Sequence, residues 1–349
     1  MKRPSVLIVG AGATGLSVGY HLALGGADIT FLVRPGRASA LQSRPPLYCY
    51  DDAALKPFDG YKVVEGTDEL AGESFRFVLV TLDGHASRTD ESVAMLRGLG
   101  DAIRGTDAHV IMCAFGMGVR QHYLDALGVP DDRLSHGFVG TLVHQTAADL
   151  PVNAPTDPAR LARASVAYKH PANKGGFRLE SGNAEAAKRF AELYNRSGVS
   201  RCLLMSRGLD EIFSDSGSPV YMAGAIAGWP DFTTLVADKE LWRLACRAQG
   251  EIMALPKNGL RGKLMARLLG PRATAKVHLT MEREMLPLDY QAFNRFHHGG
   301  KVHAQDVEGL RTCLTEGRRH GRPMTALATL LERLDAREAA DHRSATAHG

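Results

Sequence analysis

Three groups of residues in this 349-residue chain have types and spacings that could do chemistry. The first is GAGATG, where Gly10, Gly12 and Gly15 form Gly-x-Gly-x-x-Gly directly after an apolar run and directly before a helical pattern. In that context the first glycine permits a tight turn, the second lets a pyrophosphate approach the backbone, and the third lets the helix pack on the strand. The helix N-terminus turns unpaired N–H groups toward the phosphates, so Gly10, Gly12, Ala13, Thr14 and Gly15 are expected to touch a dinucleotide. The next strand ends FLVRPGR, and Arg34 and Arg37 point to NADP, because a guanidinium matches the acceptor geometry of a ribose 2′-phosphate. Asp28 precedes that strand and is wrongly placed to bind ribose. Leu82, closing a later strand, and Phe115 and Gly116, following the next one, complete the expected cofactor contacts.

The other two groups bear on proton transfer. Hydride delivery to a carbonyl needs a group that donates a proton or stabilises the developing oxyanion, and a carboxylate substrate needs a cation. Lys301, in the stretch HHGGKVH at 297–303, offers both, and the glycines before it let the backbone turn sharply beside a ligand. Glu211 and Asp215 are four apart and share one helix face, as do Ser214 and Ser218 on a neighbouring face. A buried acid pair there would favour a cation such as an iminium, which sets imine reduction beside ketone reduction; otherwise the acids solvate the helix or cap its start. Tyr221 is a further candidate proton donor, and His85 follows a strand at its carboxyl end, where doubly wound folds bind ligands. No metal is expected: His297, His298 and His303 lack an i,i+4 pair, no cysteine is near, and Asp306 and Glu308 form no recognised ligand pattern with them.

These residues need a scaffold, and the first half of the chain supplies alternating strand and helix patterns, the signature of parallel β-α-β units. Ser5–Gly10, Ile29–Arg34, Phe75–Leu82 and His109–Phe115 are the clear strand candidates, with GYKVVEG a weaker one that makes FRFVLVTL the fourth and HVIMCAF the fifth. From about residue 136 come GFVGTLVH, ARASVAY, a helix in NAEAAKRFAELYNRSG and a strand in SRCLLMS. After Arg207 the patterns are helical. The expected organisation is a Rossmann-type doubly wound parallel sheet over 1–206, an all-helical substrate and dimerisation domain over 207–336, and a polar tail over 337–349.

Composition narrows the function classes. A formal charge of +4, with basic residues scattered among acids, does not suggest nucleic acid. Five dispersed cysteines without a Cys-x-x-Cys spacing argue against a disulfide framework or a zinc knuckle and read as free thiols of a reducing cytosol. The glycine-broken N-terminal run does not read as a signal peptide, and no stretch approaches the roughly 20 apolar residues of a membrane span. The expectation is a cytoplasmic protein whose partners are a small-molecule substrate and a second copy of itself.

The N-terminal VLIVGAGATG, the strand end FLVRPGR, VTLD closing the fourth strand, FGMG after the fifth and the helical second half together resemble the ketopantoate reductase family. The resemblance spans nearly the whole chain and implies reduction of a 2-oxo acid by NADPH between a Rossmann domain and a helical domain. The family's polar landmarks, however, are replaced. Asp83 stands where a lysine commonly follows the fourth strand, and Phe115 stands where the family has the asparagine of Asn-Gly-x-Gly. In RGLDEIFSDSGSPVYMAGAI, Phe213 and Gly217 occupy the places of the proton-donating lysine and of the asparagine four residues later. Shifting the alignment cannot restore them, because no lysine lies between Lys188 and Lys239 and no asparagine between Asn195 and Asn258. At the family's Gly-Arg-x-Thr-Glu-Ile-Asp loop, Gly300–Asp306 puts Lys301 for the arginine and Ala304 for the glutamate, and keeps Asp306. The expectation is therefore an NADPH-dependent reductase of this type acting on a carbonyl or imine compound other than ketopantoate in an interdomain cleft, with Lys301, Glu211 and Asp215 as catalytic candidates. A dinucleotide-binding protein or sensor without turnover is the alternative.

Overall fold

The structure is a computed structural model and describes residues 3–347. The chain divides into two compact units, Met1–Arg207 and Gly208–Gly349. Among the described residues the first contains twelve strands: β1 Ser5–Val9, β2 Asp28–Leu32, β3 Leu47–Cys49, β4 Ala54–Lys56, β5 Tyr61–Val64, β6 Phe77–Val80, β7 His109–Met112, β8 Leu134–Val139, β9 Leu142–Gln145, β10 Val166–Lys169, β11 Gly175–Glu180 and β12 Arg201–Met205. Its helices are α1 Ala13–Leu24, α2 Ala38–Gln42, α3 Asp90–Ala102, α4 Val119–Leu127, α5 Pro158–Leu161 and α6 Ala184–Asn195.

Eight strands form one sheet in the order β12-β11-β8-β7-β6-β1-β2-β5. It is parallel from β5 through β8, and the single reversal is β11 against β8. Side chains alternate across a strand, and β1 shows what that does: Val6 and Ile8 enter one core, with Phe31 and Phe190, while Leu7 and Val9 enter the other, with Leu96 and Tyr123. Burial on both faces is why these strands read as continuous apolar runs. Helix α1 lies close on the sheet because Gly19 has no side chain; a Cβ there would stand 2.8 Å from the Phe31 ring. Within this sheet Phe77–Val80 is fourth in chain order and His109–Met112 fifth, as the sequence suggests.

A second sheet, β4-β3-β10-β9, was not legible in the sequence. The stretch GFVGTLVH is not one strand: it breaks at Gly140, whose N–H donates to Gly176 O at 2.9 Å, and passes from β8 of the large sheet into β9 of the small one. Likewise only the end of ARASVAY is extended, because Pro158–Leu161 begins a helical turn capped by the Asp157 carboxylate.

Among the described residues the second unit contains helices and no strand: α7 Leu209–Ser216, α8 Ser218–Ile226, α9 Phe232–Ala237, α10 Lys239–Met253, α11 Gly259–Leu268, α12 Pro271–Glu284, α13 Tyr290–Phe296, α14 His303–Arg319 and α15 Thr325–Ala347. A π-helical turn, His297–Lys301, joins α13 to α14. The stretch expected as a tail from 337 is instead the end of α15, helical to Ala347; residues 348 and 349 lie outside the described residues. Its composition explains the correction, since alanine, arginine and glutamate are strong helix formers, Arg337 pairs with Asp341 one turn on, and Glu338 accepts from His303 Nε2 at 2.6 Å. No helix among the described residues is long and apolar enough to cross a membrane.

Candidate functional site

The glycine turn between β1 and α1 has the shape its spacing implies. Gly10 takes φ +95°, a backbone conformation that side chains rarely adopt, and its N–H donates to Leu32 O at 2.9 Å. Thr81 Oγ1, arriving from the end of β6, donates to Val9 O at 2.8 Å and would stand 2.8 Å from any Cβ placed on Gly10. A Cβ on Gly15 would collide with the Gly10 carbonyl, so the helix reaches the strand only because that position is glycine. Gly12 is different: it is exposed, and a Cβ on it would meet nothing within 4 Å. Gly12 caps α1 with no side-chain hydrogen bond, Ala13 is buried, and Thr14 is half-buried. The turn is thus closed on its protein side and open at Gly12, which fits a pyrophosphate seated on the helix N-terminus.

Arg34 and Arg37 are both exposed in the loop after β2, and neither makes an ion pair among the described residues. An acid missed in the sequence stands there as well. Glu65, just past the end of β5, accepts from Ala38 N at 2.8 Å, and the amides of Ala38, Gly36 and Arg37 hold its carboxyl below the ordinary glutamate range. It arrives from the strand next to β2, so the rule that looks for an acid at the end of the second strand passes over it.

Two further loops leave the carboxyl ends of β6 and β7. Leu82 packs partly buried against one core, and Asp83, in the place of the family lysine, accepts from Ala86 N at 2.7 Å and so stabilises a turn. His85 is exposed. The Phe115 ring sits edge-on to His136 at 4.8 Å and to Phe138 at 5.3 Å, which explains how an aromatic residue is accommodated at the asparagine position. Gly116, at φ +119°, is exposed with open space around it. Arg88 bridges the two loops, donating to Gly84 O at 3.0 Å and to Met117 O at 3.2 Å.

In the second unit the structure separates the catalytic candidates. The acids expected on one helix lie on α7, which ends at Gly217, and Tyr221 lies on a separate helix, α8. Asp215 is 8% exposed and ion-paired with Lys257, while Glu211 is exposed and adds its charge to the same lysine. The two carboxylates together raise the Lys257 ammonium against its burial. Lys301 is exposed at the end of the π-helical turn and makes no hydrogen bond or ion pair among the described residues.

A constellation that the sequence did not reveal lies beside it. His298 Nδ1 donates to Asp306 Oδ2 at 2.7 Å, and Ser218 Oγ donates to Asp306 Oδ1 at 3.2 Å, so both carboxylate oxygens are engaged. The His298 ring stacks on Tyr221 at 3.7 Å and 7°. Burial and the adjoining His298 push His278 down to about 4, and the same causes together with Lys301 push His297 down to about 3, so both rings are neutral at pH 7. Burial raises the Tyr221 phenol. The turn owes its shape to Trp229, whose indole fills the space beside Gly299; a Cβ there would lie 2.8 Å from the ring. His298 is thus an imidazole with one nitrogen tied to a carboxylate, one face covered by a phenol ring, and 18% of its side chain exposed. Such a group can pass a proton to an oxygen. His298 and Asp306 are eight positions apart across a π-turn, a separation that matches no periodic spacing, which is why only the structure brings them together.

Comparison with known proteins agrees with the fold. Residues 6–82 match the family model described as ketopantoate reductase PanE/ApbA. No curated protein sequence matches the chain. Among solved structures, 2-dehydropantoate 2-reductase from Geobacter metallireducens is 17% identical with a TM-score of 0.65, over 95% of this chain and 99% of that one. The 2-dehydropantoate 2-reductase from Methylococcus capsulatus is 15% identical with a TM-score of 0.65, over 96% and 97%. D-mandelate dehydrogenase in complex with NADH is 14% identical with a TM-score of 0.62, over 96% and 99%. The resemblance to ketopantoate reductases read from the sequence is therefore met by the family model over the glycine turn and its sheet, and by the fold over nearly the whole chain.

Proposed function

We propose that the chain is a nicotinamide-dependent oxidoreductase that reduces a small carbonyl compound other than ketopantoate, with NADPH as its reductant. The observation that carries the reading is the turn at Gly10, Gly12 and Gly15, closed against Thr81 and open at Gly12. The family model over 6–82 supports the cofactor class, and the NADH-bound D-mandelate dehydrogenase supports carbonyl and hydroxy-acid chemistry on the same fold. When bound, the reduced nicotinamide supplies the hydride. Gly10, Gly12, Ala13, Thr14 and Gly15 would hold the pyrophosphate, Arg34 and Arg37 the 2′-phosphate, and Leu82, Phe115 and Gly116 would line the nicotinamide half.

For the proton we assign His298 as donor and Asp306 as the residue that positions it, in place of the family lysine that Phe213 has replaced. Lys301, exposed and without a partner among the described residues, is the cation for a substrate carboxylate. Glu211 and Asp215 then serve to hold Lys257, and with their charge already met the geometry favours a carbonyl over an iminium substrate. NADPH binding followed by fluorescence, then NADPH oxidation across a panel of 2-oxo acids and other small carbonyls, tests the reading. The expected result is micromolar binding with turnover on at least one of them, and a His298→Asn chain that binds NADPH normally but turns over about 100-fold more slowly. Binding without turnover on any substrate would leave a sensor in place of an enzyme, and failure to bind any nicotinamide dinucleotide would remove both.

A further inference from the structure

A second group of chemistry-bearing side chains lies in the first unit, between the small sheet and α1. It is produced by register. Strands β3 and β10 pair in parallel with Cys49 opposite Tyr168, and Tyr50 N continues the ladder to Tyr168 O at 3.0 Å. Cys49 and Tyr168, being register partners, leave their strands on the same side, and Asp51 and His170 follow two residues on, just past the ends of β3 and β10. Cys49 Sγ, a carboxylate oxygen of Asp51 and a ring nitrogen of His170 consequently lie within 4.8 Å of one another. They converge on one atom: Asp51 Oδ2 accepts from His170 Nδ1 at 2.6 Å and from Cys49 Sγ at 3.5 Å, while Lys169 holds the other oxygen, Oδ1, at 2.5 Å.

Two unsatisfied nitrogens mark the same place. His21, on α1, is fully buried and donates Nδ1–H to Ser17 O at 2.8 Å, which leaves Nε2 with a lone pair and no partner. His170 is 4% exposed, its Nδ1 is committed to Asp51, and its Nε2 also has no partner. The two rings are neighbours, with centroids 5.1 Å apart at 75°. Buried polar nitrogens are almost always paired, so two orphans side by side need an explanation.

We propose that Cys49, Asp51 and His170 bind one divalent transition-metal ion of the zinc class, which ties the small sheet together beneath α1. A thiolate, an imidazole and a carboxylate are the ligand types that such an ion takes, and protein sites of this class use three or four of them. The ion displaces the Sγ proton and the His170 Nδ1 proton, which leave to solvent and to Nε2 respectively. His170 then carries its N–H at Nε2, on the far side of its ring from the ion and beside the His21 ring. Short runs of residues join the ligands to the two strand ends, and neither the glycine turn nor the His298 constellation takes part. The inference therefore stands apart from the proposed reaction.

The test uses the full chain, stripped with a chelator and titrated with Co2+ in place of Zn2+. The expected result is one equivalent bound, with thiolate-to-cobalt charge-transfer absorption and the intense visible bands of a four-coordinate site, and a thermal midpoint raised by Zn2+. Cys49→Ser is expected to lose the charge-transfer absorption, and His170→Gln to weaken binding at least tenfold. Absence of charge-transfer absorption in the wild-type chain at stoichiometric Co2+ would overturn the proposal without recourse to any variant. So would absorption that persists in a folded Cys49→Ser chain, because one of the other cysteines would then be the ligand.

Discussion

Replacing Gly12 by alanine separates ligand binding from folding at the glycine turn. Gly12 sits at φ −76°, ψ −170°, a conformation open to any residue, and a Cβ there meets no heavy atom within 4 Å. The protein loses only the modest preference of a helix N-cap for glycine over alanine, below about 1 kcal/mol. What the methyl group fills is the open face over the first turn of α1, where a pyrophosphate must come close to the backbone. Dinucleotide affinity is therefore expected to fall at least tenfold, about 1.4 kcal/mol or more, with the melting temperature nearly unchanged. Gly15→Ala makes the opposite comparison. Its Cβ would collide with the Gly10 carbonyl oxygen, 3.0 Å from the carbonyl carbon and 3.3 Å from Thr81 Oγ1, so the helix must back away from the strand. That overpacking is expected to cost roughly 1–3 kcal/mol of stability and the ligand as well. Thermal unfolding and NADPH fluorescence titration on the same preparations read both quantities. A Gly12→Ala chain that binds NADPH as tightly as the wild type would refute the assignment of this turn to a pyrophosphate.

Three other outcomes are expected. Glu65→Gln keeps an acceptor for the Ala38 amide but removes a negative charge from the loop of Arg34 and Arg37; the affinity for NADPH should rise about threefold or more while that for NADH stays constant, and equal changes in both would sink the idea. Lys257→Met leaves the Asp215 carboxylate, 8% exposed, without its cation, and urea unfolding of the second unit should show a loss of roughly 1–3 kcal/mol, the lower end reflecting the 30% exposure of the lysine. His109, buried on β7 and bonded to Ser135 Oγ at 2.9 Å, is pushed down to about 4 by burial and then by Arg133. Its folded value lies below the unfolded 6.5, so the stability it contributes is present above pH 6.5 and is lost as pH falls through about 4. The unfolding free energy from urea titrations should be about 2–3 kcal/mol lower at pH 4.5 than at pH 7 from this group, and His109→Gln should flatten that part of the profile.

How much of this was legible beforehand follows from sequence distance. The glycine turn is six consecutive residues between a strand and a helix, so its spacing contained its geometry, down to which glycine touches backbone and which faces open space. The central strands β1, β2, β6 and β7 of the large sheet were equally readable, because strands buried on both faces write themselves as apolar runs, whereas β11, Gly175–Glu180, was not among the expected strands. The small sheet was not: β3 and β4 are three residues each, too short for a period of two to show, and β9 is joined to β8 through Gly140. In the second unit the sequence directed attention to HHGGKVH and, within it, to Lys301. Lys301 was chosen for its charge, whereas the ordered constellation is that of His298, since Asp306, Ser218 and Tyr221 reach it only through the π-helical turn and the packing of α8. The acids at 211 and 215 do share a helix face, as their spacing required, but Lys257, which meets them, comes from 42 residues further along.

The parallel pairing of β3 with β10 also bears on the order in which the molecule can assemble. Leu47–Cys49 can pair at once with Ala54–Lys56, but they acquire their second, parallel neighbour only after Val166–Lys169 have been synthesised, about 120 residues later, a long loop to close before that contact repays it. The same delay affects one whole face of the large sheet, where Tyr20, Phe31 and Phe58 share their core with Tyr168, Phe177, Phe190 and Tyr194. A nascent chain that has already made its nucleotide-binding turn thus still shows a wide aromatic surface to water. Until α6 arrives, that surface is open to other chains, and the growing polypeptide is at its most aggregation-prone while the ribosome works through the last third of the first unit.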